Sequence, residues 1–248
     1  MIAIGSEPDG LNINDGVGST HIDNLSRAVI SHGADLGVAL DGDGDRLIMV
    51  DETGEVIDGD DILYIIARSR QMNGGFPGAV VGTQMSNLGL EHALDDLGIG
   101  FERTAVGDRF VMERLREMNW VLGGEPSGHI ICLDRTTTGD GIVTALQVLT
   151  ELRKSDKTFK QLREGMEKYP QLLQNVRLGG RQASEIMASE RLTKAVREVE
   201  TELGDKGRVL LRPSGTEPLI RVMIEGQSGH QVELLTRQLA DVVEQLST

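Results

Sequence analysis

The chain of 248 residues contains very little cysteine and few aromatic residues. Its single cysteine, Cys132, excludes an internal disulfide framework and makes a reducing compartment the default. It lies in the apolar run 129–133, which favours a buried thiol over a nucleophile. No apolar run approaches the roughly 20 residues that span a bilayer, and residues 1–5 lack the basic segment of a signal peptide. The sequence therefore predicts a soluble, cytoplasmic protein without a membrane partner.

An excess of positive charge is also missing. Lys and Arg number 25 against 39 Asp and Glu, which gives a formal net charge of −14. The basic residues are scattered along the chain, which argues against binding to a phosphate backbone, so we expect no nucleic-acid partner. A chain of this length can hold one large domain or two to three ordinary ones.

The most informative segment is an acidic loop, Asp41-Gly42-Asp43-Gly44-Asp45-Arg46. Its three carboxylates repel one another unless a cation offsets their charge. Oxygen ligands suit Mg²⁺, Mn²⁺ or Ca²⁺, and no His or Cys stands nearby in the sequence to favour zinc. The glycines allow the backbone to turn so that the carboxylates converge. The loop therefore predicts a metal site at Asp41, Asp43 and Asp45.

An EF-hand calcium loop is the main alternative, because Glu52 is the twelfth residue counted from Asp41. The sixth residue of such a loop must be glycine, and here it is Arg46. An EF-hand also needs a preceding helix, whereas Leu36–Leu40 is a short apolar run that we interpret as a buried parallel strand. The loop would then follow the carboxyl end of a strand, where open α/β sheets place their ligands. A solvated acidic turn is the remaining alternative.

The pattern of elements along the first two thirds of the chain predicts α/β structure. Residues 1–57 contain a strand near Ile2–Ile4 and a helix over 21–32, which is too little to bury a core. We interpret them as the end of one α/β domain in a fragment of a longer protein. Residues 58–172 alternate helix and strand, which predicts a complete mixed-sheet α/β domain that closes with a helix at Thr158–Tyr169.

The last part of the chain, residues 173–248, predicts a two-layer α+β domain with helices at Glu190–Leu203 and Val232–Leu246. The loop 212–218, with sequence RPSGTEP, joins two of its strands. Arg221 on the following strand would add a second cation. The loop contains the groups that a phosphate-binding site needs, namely a guanidinium, hydroxyls and free backbone N–H groups. These groups belong to Arg212, Ser214, Gly215 and Thr216, and together they would form a phosphate cradle. Taken alone, the loop fits a plain hairpin turn equally well.

Three further loops contain polar residues beside glycine. The loop 123–129 offers a carboxylate, a hydroxyl and an imidazole to a polar ligand, although a solvated turn is the simpler interpretation. These side chains are Glu125, Ser127 and His129. The segment 106–109 predicts the start of a helix, with Asp108 as its N-cap. The segment 136–141 also predicts a helix start, because it lacks the lysine of a nucleotide-binding P-loop.

Together these loops resemble the α-D-phosphohexomutase family in order and spacing over essentially the whole chain. The residues that carry the resemblance are Asp41–Arg46, Gly124–His129 and Arg212–Pro218, with Val106–Arg109 and Thr136–Gly141 beside them. The resemblance implies a four-domain cytoplasmic isomerase that transfers a phosphoryl group within a hexosamine phosphate, an amino-sugar precursor of the cell wall. It also implies that this chain holds the end of domain two and all of domains three and four.

The resemblance implies a role for each loop. Mg²⁺ would bind to the three aspartates of the acidic loop, with Arg46 beside it. Glu125 and Ser127 would hold sugar hydroxyls. His129 is a candidate for proton transfer. The non-reacting phosphate would be held by Arg212, Ser214, Gly215, Thr216 and Arg221. The sugar loop looks most like the amino-sugar branch, with phosphomannomutase and phosphoglucomutase as alternatives.

The family nucleophile, a phosphorylated serine in a first-domain loop, has no counterpart in this chain. The resemblance therefore implies an enzyme that works through a 1,6-bisphosphate and a fragment that is inactive alone. A phosphosugar-binding protein without catalytic activity is the alternative from another functional class. A homodimer of the full-length protein stays open.

Overall fold

A computed structural model of the chain describes residues 1–215 and 217–247. Its helices are α1 (Asp23–His32), α2 (Gly59–Met72), α3 (Leu88–Asp96), α4 (Asp108–Met118), α5 (Gly141–Ser155), α6 (Phe159–Leu162), α7 (Ala183–Met187), α8 (Glu190–Leu203) and α9 (Gly229–Ser247). Its strands are β1 (Leu36–Leu40), β2 (Leu47–Asp51), β3 (Val56–Ile57), β4 (Ala79–Thr83), β5 (Gly100–Thr104), β6 (Leu122–Gly124), β7 (Ile130–Cys132), β8 (Gln171–Arg177), β9 (Gly207–Pro213) and β10 (Leu219–Gly226). None of the described helices has both the length and the apolar character needed to cross a membrane.

The chain divides into two compact units. Unit 1 comprises Met1–Ser86 and Leu90–Glu167, and unit 2 comprises Asn87–Gly89 and Lys168–Thr248. The predicted division into three domains at residues 57 and 172 stays a prediction. The α/β class is confirmed, since helices and strands alternate through most of the chain.

The first sheet of unit 1 corrects two expectations. Strand β1 has the predicted bounds, but it pairs antiparallel with β2, with Leu40 opposite Leu47, so the parallel interpretation is wrong for this chain. Its burial alternates along the strand, with Gly37 and Ala39 inside, as in a half-exposed antiparallel strand. No strand forms near Ile2–Ile4, because no described strand lies alongside to complete its hydrogen bonds.

The second sheet of unit 1 has the order β5-β4-β6-β7. Strand β4 is parallel to both β5 and β6, whereas β7 is antiparallel to β6, so the predicted mixed sheet is confirmed. Neighbouring residues of a strand face opposite sides of the sheet. Val80 accordingly joins the core that contains α2, while Val81 packs with Val111 and Leu115 of α4.

One hydrophobic core joins the two sheets of unit 1. Leu47 and Met49 of β2 are fully buried in the same cluster as Ile62 and Ile65 of α2. Helix α2 begins with a capping box in which the side chain of Asp58 accepts the backbone N–H groups of Asp60 and Asp61. The acidic loop that precedes β2 is therefore anchored on the same core as the sheet that carries the sugar loop.

The helix predicted at Thr158–Tyr169 is much shorter in the structure. Helix α6 ends at Leu162, and Gly165 adopts a positive φ of 100°. The hydroxyl of Tyr64 donates to the carbonyl of Glu164 over 3.0 Å, which holds this segment in its non-helical form. The prediction failed because the predicted helix runs past Leu162 and includes Gly165, whose φ lies outside the helical range.

Unit 2 is a two-layer α+β structure, as predicted. Its antiparallel sheet has the order β8-β10-β9. Helices α8 and α9 bury Leu192, Val199, Leu235 and Leu239 against Val222 of the central strand. Helix α8 has the predicted bounds, whereas α9 begins at Gly229, three residues before the predicted start.

Candidate metal centre and sugar-phosphate loops

The acidic loop brings its three carboxylates together. Asp41, Asp43 and Asp45 each offer one oxygen, and these oxygens lie within 4.8 Å of one another. The loop turns at Gly44, whose φ of 73° suits glycine, and whose N–H donates to the carbonyl of Asp41 over 3.2 Å. The carbonyl of Gly44 in turn accepts the N–H of Gly141 at 2.9 Å, which ties the loop to the start of α5.

The loop fits a divalent cation. Asp45 Oδ1 is buried and has no hydrogen-bond partner among the described residues, although a buried carboxylate oxygen normally has one. Burial raises the pKa of Asp45, His129 lowers it, and Asp41 and Asp43 raise it further. Burial and the two neighbouring carboxylates thus disfavour the charged form of Asp45, which a cation would offset, and oxygen ligands of this kind suit Mg²⁺, Mn²⁺ or Ca²⁺.

Arg46 lies at the edge of the acidic loop. Its backbone N–H donates to Asp41 Oδ1 over 3.1 Å, and its Nε lies 3.6 Å from Asp41 Oδ2. Its side chain remains 44% exposed, so the guanidinium can also approach an anion from solvent.

The sugar loop connects β6 to β7 in unit 1. The N–H of Glu125 donates to the carbonyl of His129 over 3.1 Å, and that of Gly128 donates to the carbonyl of Glu125 over 3.0 Å. Ser127 is exposed. The N–H of Leu47, at the start of β2, donates to the carbonyl of Gly128 over 3.0 Å. The sugar loop is therefore bonded to the strand that follows the acidic loop.

The side chain of Glu125 is held by Gly107, a residue of the segment 106–109 whose contact with the sugar loop was not predicted. Its Oε1 accepts the backbone N–H of Gly107 over 3.0 Å, and Oε2 forms no hydrogen bond within the described part of the chain. Gly107 has a φ of 130° that side-chain-bearing residues rarely adopt. It is also the N-cap of α4, so the predicted N-cap role of Asp108 is wrong and Asp108 is the first helical residue. A glycine directly before a helix was the available signal.

A second glycine, Gly59, lets α2 approach the sugar loop, and it too was missed. Its N–H donates to the carbonyl of Pro126 over 3.1 Å. A Cβ at Gly59 would lie 1.9 Å from the carbonyl oxygen of Glu125, and a Cβ at Gly128 would lie 2.1 Å from that of Leu47. The loop keeps its position only because both residues lack a side chain.

His129, the last residue of the sugar loop, contacts the acidic loop. Its ring is buried, and Nδ1 lies 2.9 Å from Asp45 Oδ2. Its Nε2 is 4.0 Å from Asp108 Oδ2. The segment 136–141 continues into α5, where Asp140 accepts the N–H of Val143 over 2.9 Å as an N-cap, so the predicted helix start is confirmed.

The predicted phosphate loop joins β9 to β10 in unit 2. Arg212 and Arg221 stand directly opposite each other on these strands, and neither forms an ion pair with any described residue. The Nε atoms of both are buried without a partner within the described part of the chain. By contrast, Arg208 opposes Glu225 in an ion pair of 2.6 Å. Like charges in facing positions are unfavourable, so an anion here would stabilise the sheet.

The turn of this loop is closed by its own backbone. The N–H of Ser214 donates to the carbonyl of Leu219 over 2.9 Å, and the N–H of Glu217 donates to Ser214 Oγ over 3.2 Å. Gly215 is exposed. The predicted binding residue Thr216 lies outside the described residues.

Comparison with protein families shows three consecutive matches along the chain. Residues 6–54, 58–169 and 173–242 match phosphoglucomutase/phosphomannomutase alpha/beta/alpha domain II, alpha/beta/alpha domain III and the C-terminal domain, respectively. The chain belongs to the phosphoglucomutase/phosphomannomutase family. The resemblance that the loops suggested is thereby confirmed.

Curated proteins named phosphoglucosamine mutase align with almost the whole chain. A phosphoglucosamine mutase from Methylococcus capsulatus is 61% identical over 241 residues, which are 97% of this chain and 53% of that protein. A phosphoglucosamine mutase from Thioalkalivibrio sulfidiphilus is 58% identical over 244 residues, 98% of this chain and 54% of that protein. The chain thus spans about half the length of these relatives.

Solved structures of phosphoglucomutase/phosphomannomutase relatives share the fold. Aspergillus fumigatus N-acetylphosphoglucosamine mutase, in complex with GlcNAc-6P and magnesium, superposes with a TM-score of 0.75 at 22% identity, over 95% of this chain and 54% of that one. A putative phosphomannomutase from Thermus thermophilus gives a TM-score of 0.66 at 22% identity, over 91% of this chain and 50% of that one.

Proposed function

We propose that this chain is the metal-, sugar- and phosphate-binding part of a phosphoglucosamine mutase. The whole enzyme interconverts glucosamine 6-phosphate and glucosamine 1-phosphate through a phosphoserine and a 1,6-bisphosphate. The observation that carries the proposal is the buried Asp45 Oδ1, which has no hydrogen-bond partner among the described residues and lies among three converging carboxylates. The names and high identity of the curated relatives support the choice of reaction.

In this proposal Asp41, Asp43 and Asp45 hold Mg²⁺. When bound, the cation offsets negative charge as a phosphoryl group is transferred. Arg46 supplies a second positive charge at the rim of the loop, where its exposed guanidinium can approach a phosphate oxygen. A role for His129 in proton transfer stays a prediction.

Within unit 1, Glu125 and Ser127 bind the sugar. Gly107 holds one carboxylate oxygen of Glu125, so the other is presented in a fixed direction. A carboxylate gains Coulomb energy beside a protonated 2-amine that it does not gain beside a neutral 2-hydroxyl. We therefore infer that Glu125 favours glucosamine phosphate over glucose or mannose phosphate.

Within unit 2, the loop 212–218 and Arg221 bind a phosphate group. Two facing guanidinium groups without an ion-pair partner among the described residues support this assignment. The backbone of Gly215 and the hydroxyls of Ser214 and Thr216 add hydrogen-bond donors. A cytoplasmic location and a homodimer of the full-length protein stay predictions.

Two calorimetric titrations of this chain test the binding assignments. The first compares glucosamine 6-phosphate with glucose 6-phosphate in wild type and Glu125→Gln. The second measures inorganic phosphate with wild type and Arg212→Ala. Glu198→Gln is the matched control, because Glu198 is an exposed carboxylate on α8 whose ion pair within the described residues is with Lys194 over 3.7 Å.

We expect wild type and the Glu198→Gln control to prefer the amino sugar and Glu125→Gln to lose that preference. We expect Arg212→Ala to weaken phosphate binding roughly ten- to a hundredfold, since a hydrogen bond to a charged group contributes about 1.5–3 kcal/mol. Equal affinity of the wild type for the two sugars would favour a phosphomannomutase or phosphoglucomutase. Unchanged phosphate affinity in Arg212→Ala would remove the cradle from the proposal.

A further inference from the structure

We propose that His129 is a positioning residue that orients Asp45 toward the cation of the acidic loop. This inference rests on the metal site of the proposed function and deepens it. This role differs from proton transfer, because the imidazole of His129 would hydrogen-bond to Asp45 and would not act on the substrate.

The contact between His129 and Asp45 fixes which carboxylate oxygen is free. His129 Nδ1 lies 2.9 Å from Asp45 Oδ2, and because an ionised carboxylate only accepts hydrogen bonds, Nδ1–H is the donor. Oδ2 is thus occupied, and Oδ1 is the buried oxygen without a partner among the described residues. Carboxylate ligands of metals are commonly hydrogen-bonded in this way by a residue outside the coordination shell.

The backbone holds the two residues in register. His129 forms an isolated β-bridge with Arg46, the residue that follows Asp45. The N–H of Leu47 donates to the carbonyl of Gly128, the residue that precedes His129, over 3.0 Å. Main-chain bonds on both sides of the contact therefore keep the imidazole beside Asp45.

The other ring nitrogen is covered. A Cβ at Gly139 would lie 2.3 Å from His129 Nε2, so the backbone of Gly139 packs against that edge of the ring. The residue as a whole is only 5% exposed. Asp108 is the nearest carboxylate to Nε2, at 4.0 Å, beyond hydrogen-bond distance. Because this edge of the ring is covered, the imidazole of His129 is better placed to support a metal-coordinating carboxylate than to contact a sugar phosphate.

The test is the affinity of this chain for Mn²⁺ alone, measured by electron paramagnetic resonance. In His129→Asn the side-chain amide places a donor near the position of Nδ1, whereas in His129→Gln the donor lies near that of Nε2. In Gly139→Ala the new Cβ displaces the imidazole of His129, while every hydrogen-bond donor is kept. Asp43→Asn removes a ligand and is the negative control, and thermal unfolding checks that each variant is folded.

We expect His129→Asn to bind Mn²⁺ within a few-fold of wild type. We expect His129→Gln and Gly139→Ala to lose roughly ten- to a hundredfold in affinity, the usual effect of removing such a supporting contact. Equal affinity of folded His129→Gln and His129→Asn would overturn the inference while Asp43→Asn still showed that the metal site exists. Failure of folded His129→Asn to bind would also overturn it, and no Mn²⁺ binding by wild type would overturn the metal site as well.

Discussion

Replacing Gly59 by alanine should displace the sugar loop and lower the stability of unit 1. The effect should exceed that of a glycine-to-alanine change at an uncrowded position. The new Cβ would lie 1.9 Å from the carbonyl oxygen of Glu125 and 2.9 Å from the backbone nitrogen of Gly128. Both neighbours are backbone atoms, so no side-chain rotation can relieve the clash. Overpacking costs roughly 1–3 kcal/mol, and loss of the bond from Gly59 to the carbonyl of Pro126 costs about 1 kcal/mol more.

The sum of about 2–4 kcal/mol should lower the unfolding temperature of unit 1 by roughly 5–15 °C. Differential scanning calorimetry measures this directly. Gly229→Ala is the matched control, because Gly229 is the first residue of α9 as Gly59 is of α2, and its nearest contacts are at 3.7 Å. The control should stay within about 0.5 kcal/mol of wild type. Equal unfolding temperatures for Gly59→Ala and Gly229→Ala would refute the packing of the sugar loop on α2.

Three further predictions concern other parts of the chain. Arg221→Leu removes one of two facing charges, so added inorganic phosphate should stabilise the variant less than wild type in a thermal shift assay; equal stabilisation would count against the cradle. Gly107→Ala should reduce the affinity for glucosamine 6-phosphate in calorimetry, because its φ of 130° is unfavourable for alanine and its N–H orients Glu125; an unchanged affinity would argue against that hydrogen bond. Burial raises the pKa of Cys132, which is 1% exposed, so Ellman's reagent should modify it rapidly only after unfolding in guanidinium; fast reaction of the native chain would contradict this.

The parts of the fold that depend on residues close together in the sequence were predictable. Helix α8 has the bounds that its periodicity predicted, and strand β1 has those of its apolar run. The acidic loop was also accessible, because three carboxylates within five residues are a local pattern. The pairing of β1 with β2 was missed, since an apolar pentapeptide does not specify the direction of its partner strand.

The supporting contacts of the candidate site could not be predicted. Gly59 and Gly107 are distant in sequence from Glu125, yet each lies against it through a bond or a close approach that only the folded chain reveals. The same holds for His129 and Asp45, whose loops are separated by helices and strands of unit 1. Sequence motifs therefore indicated which loops matter, whereas the residues that hold those loops in place depend on tertiary packing.

The most direct test of the account is a turnover assay on a chimera. The preceding half of the Methylococcus capsulatus phosphoglucosamine mutase, which is 61% identical over the shared part, would be joined to this chain. Glucosamine 6-phosphate, glucose 6-phosphate and mannose 6-phosphate would be compared with Mg²⁺ and a bisphosphate activator, with Asp43→Asn as the inactive control. We expect the highest kcat/KM for glucosamine 6-phosphate and no turnover by the 248-residue chain alone. Equal kcat/KM for the three sugars, or mutase activity of the chain by itself, would contradict the proposed function.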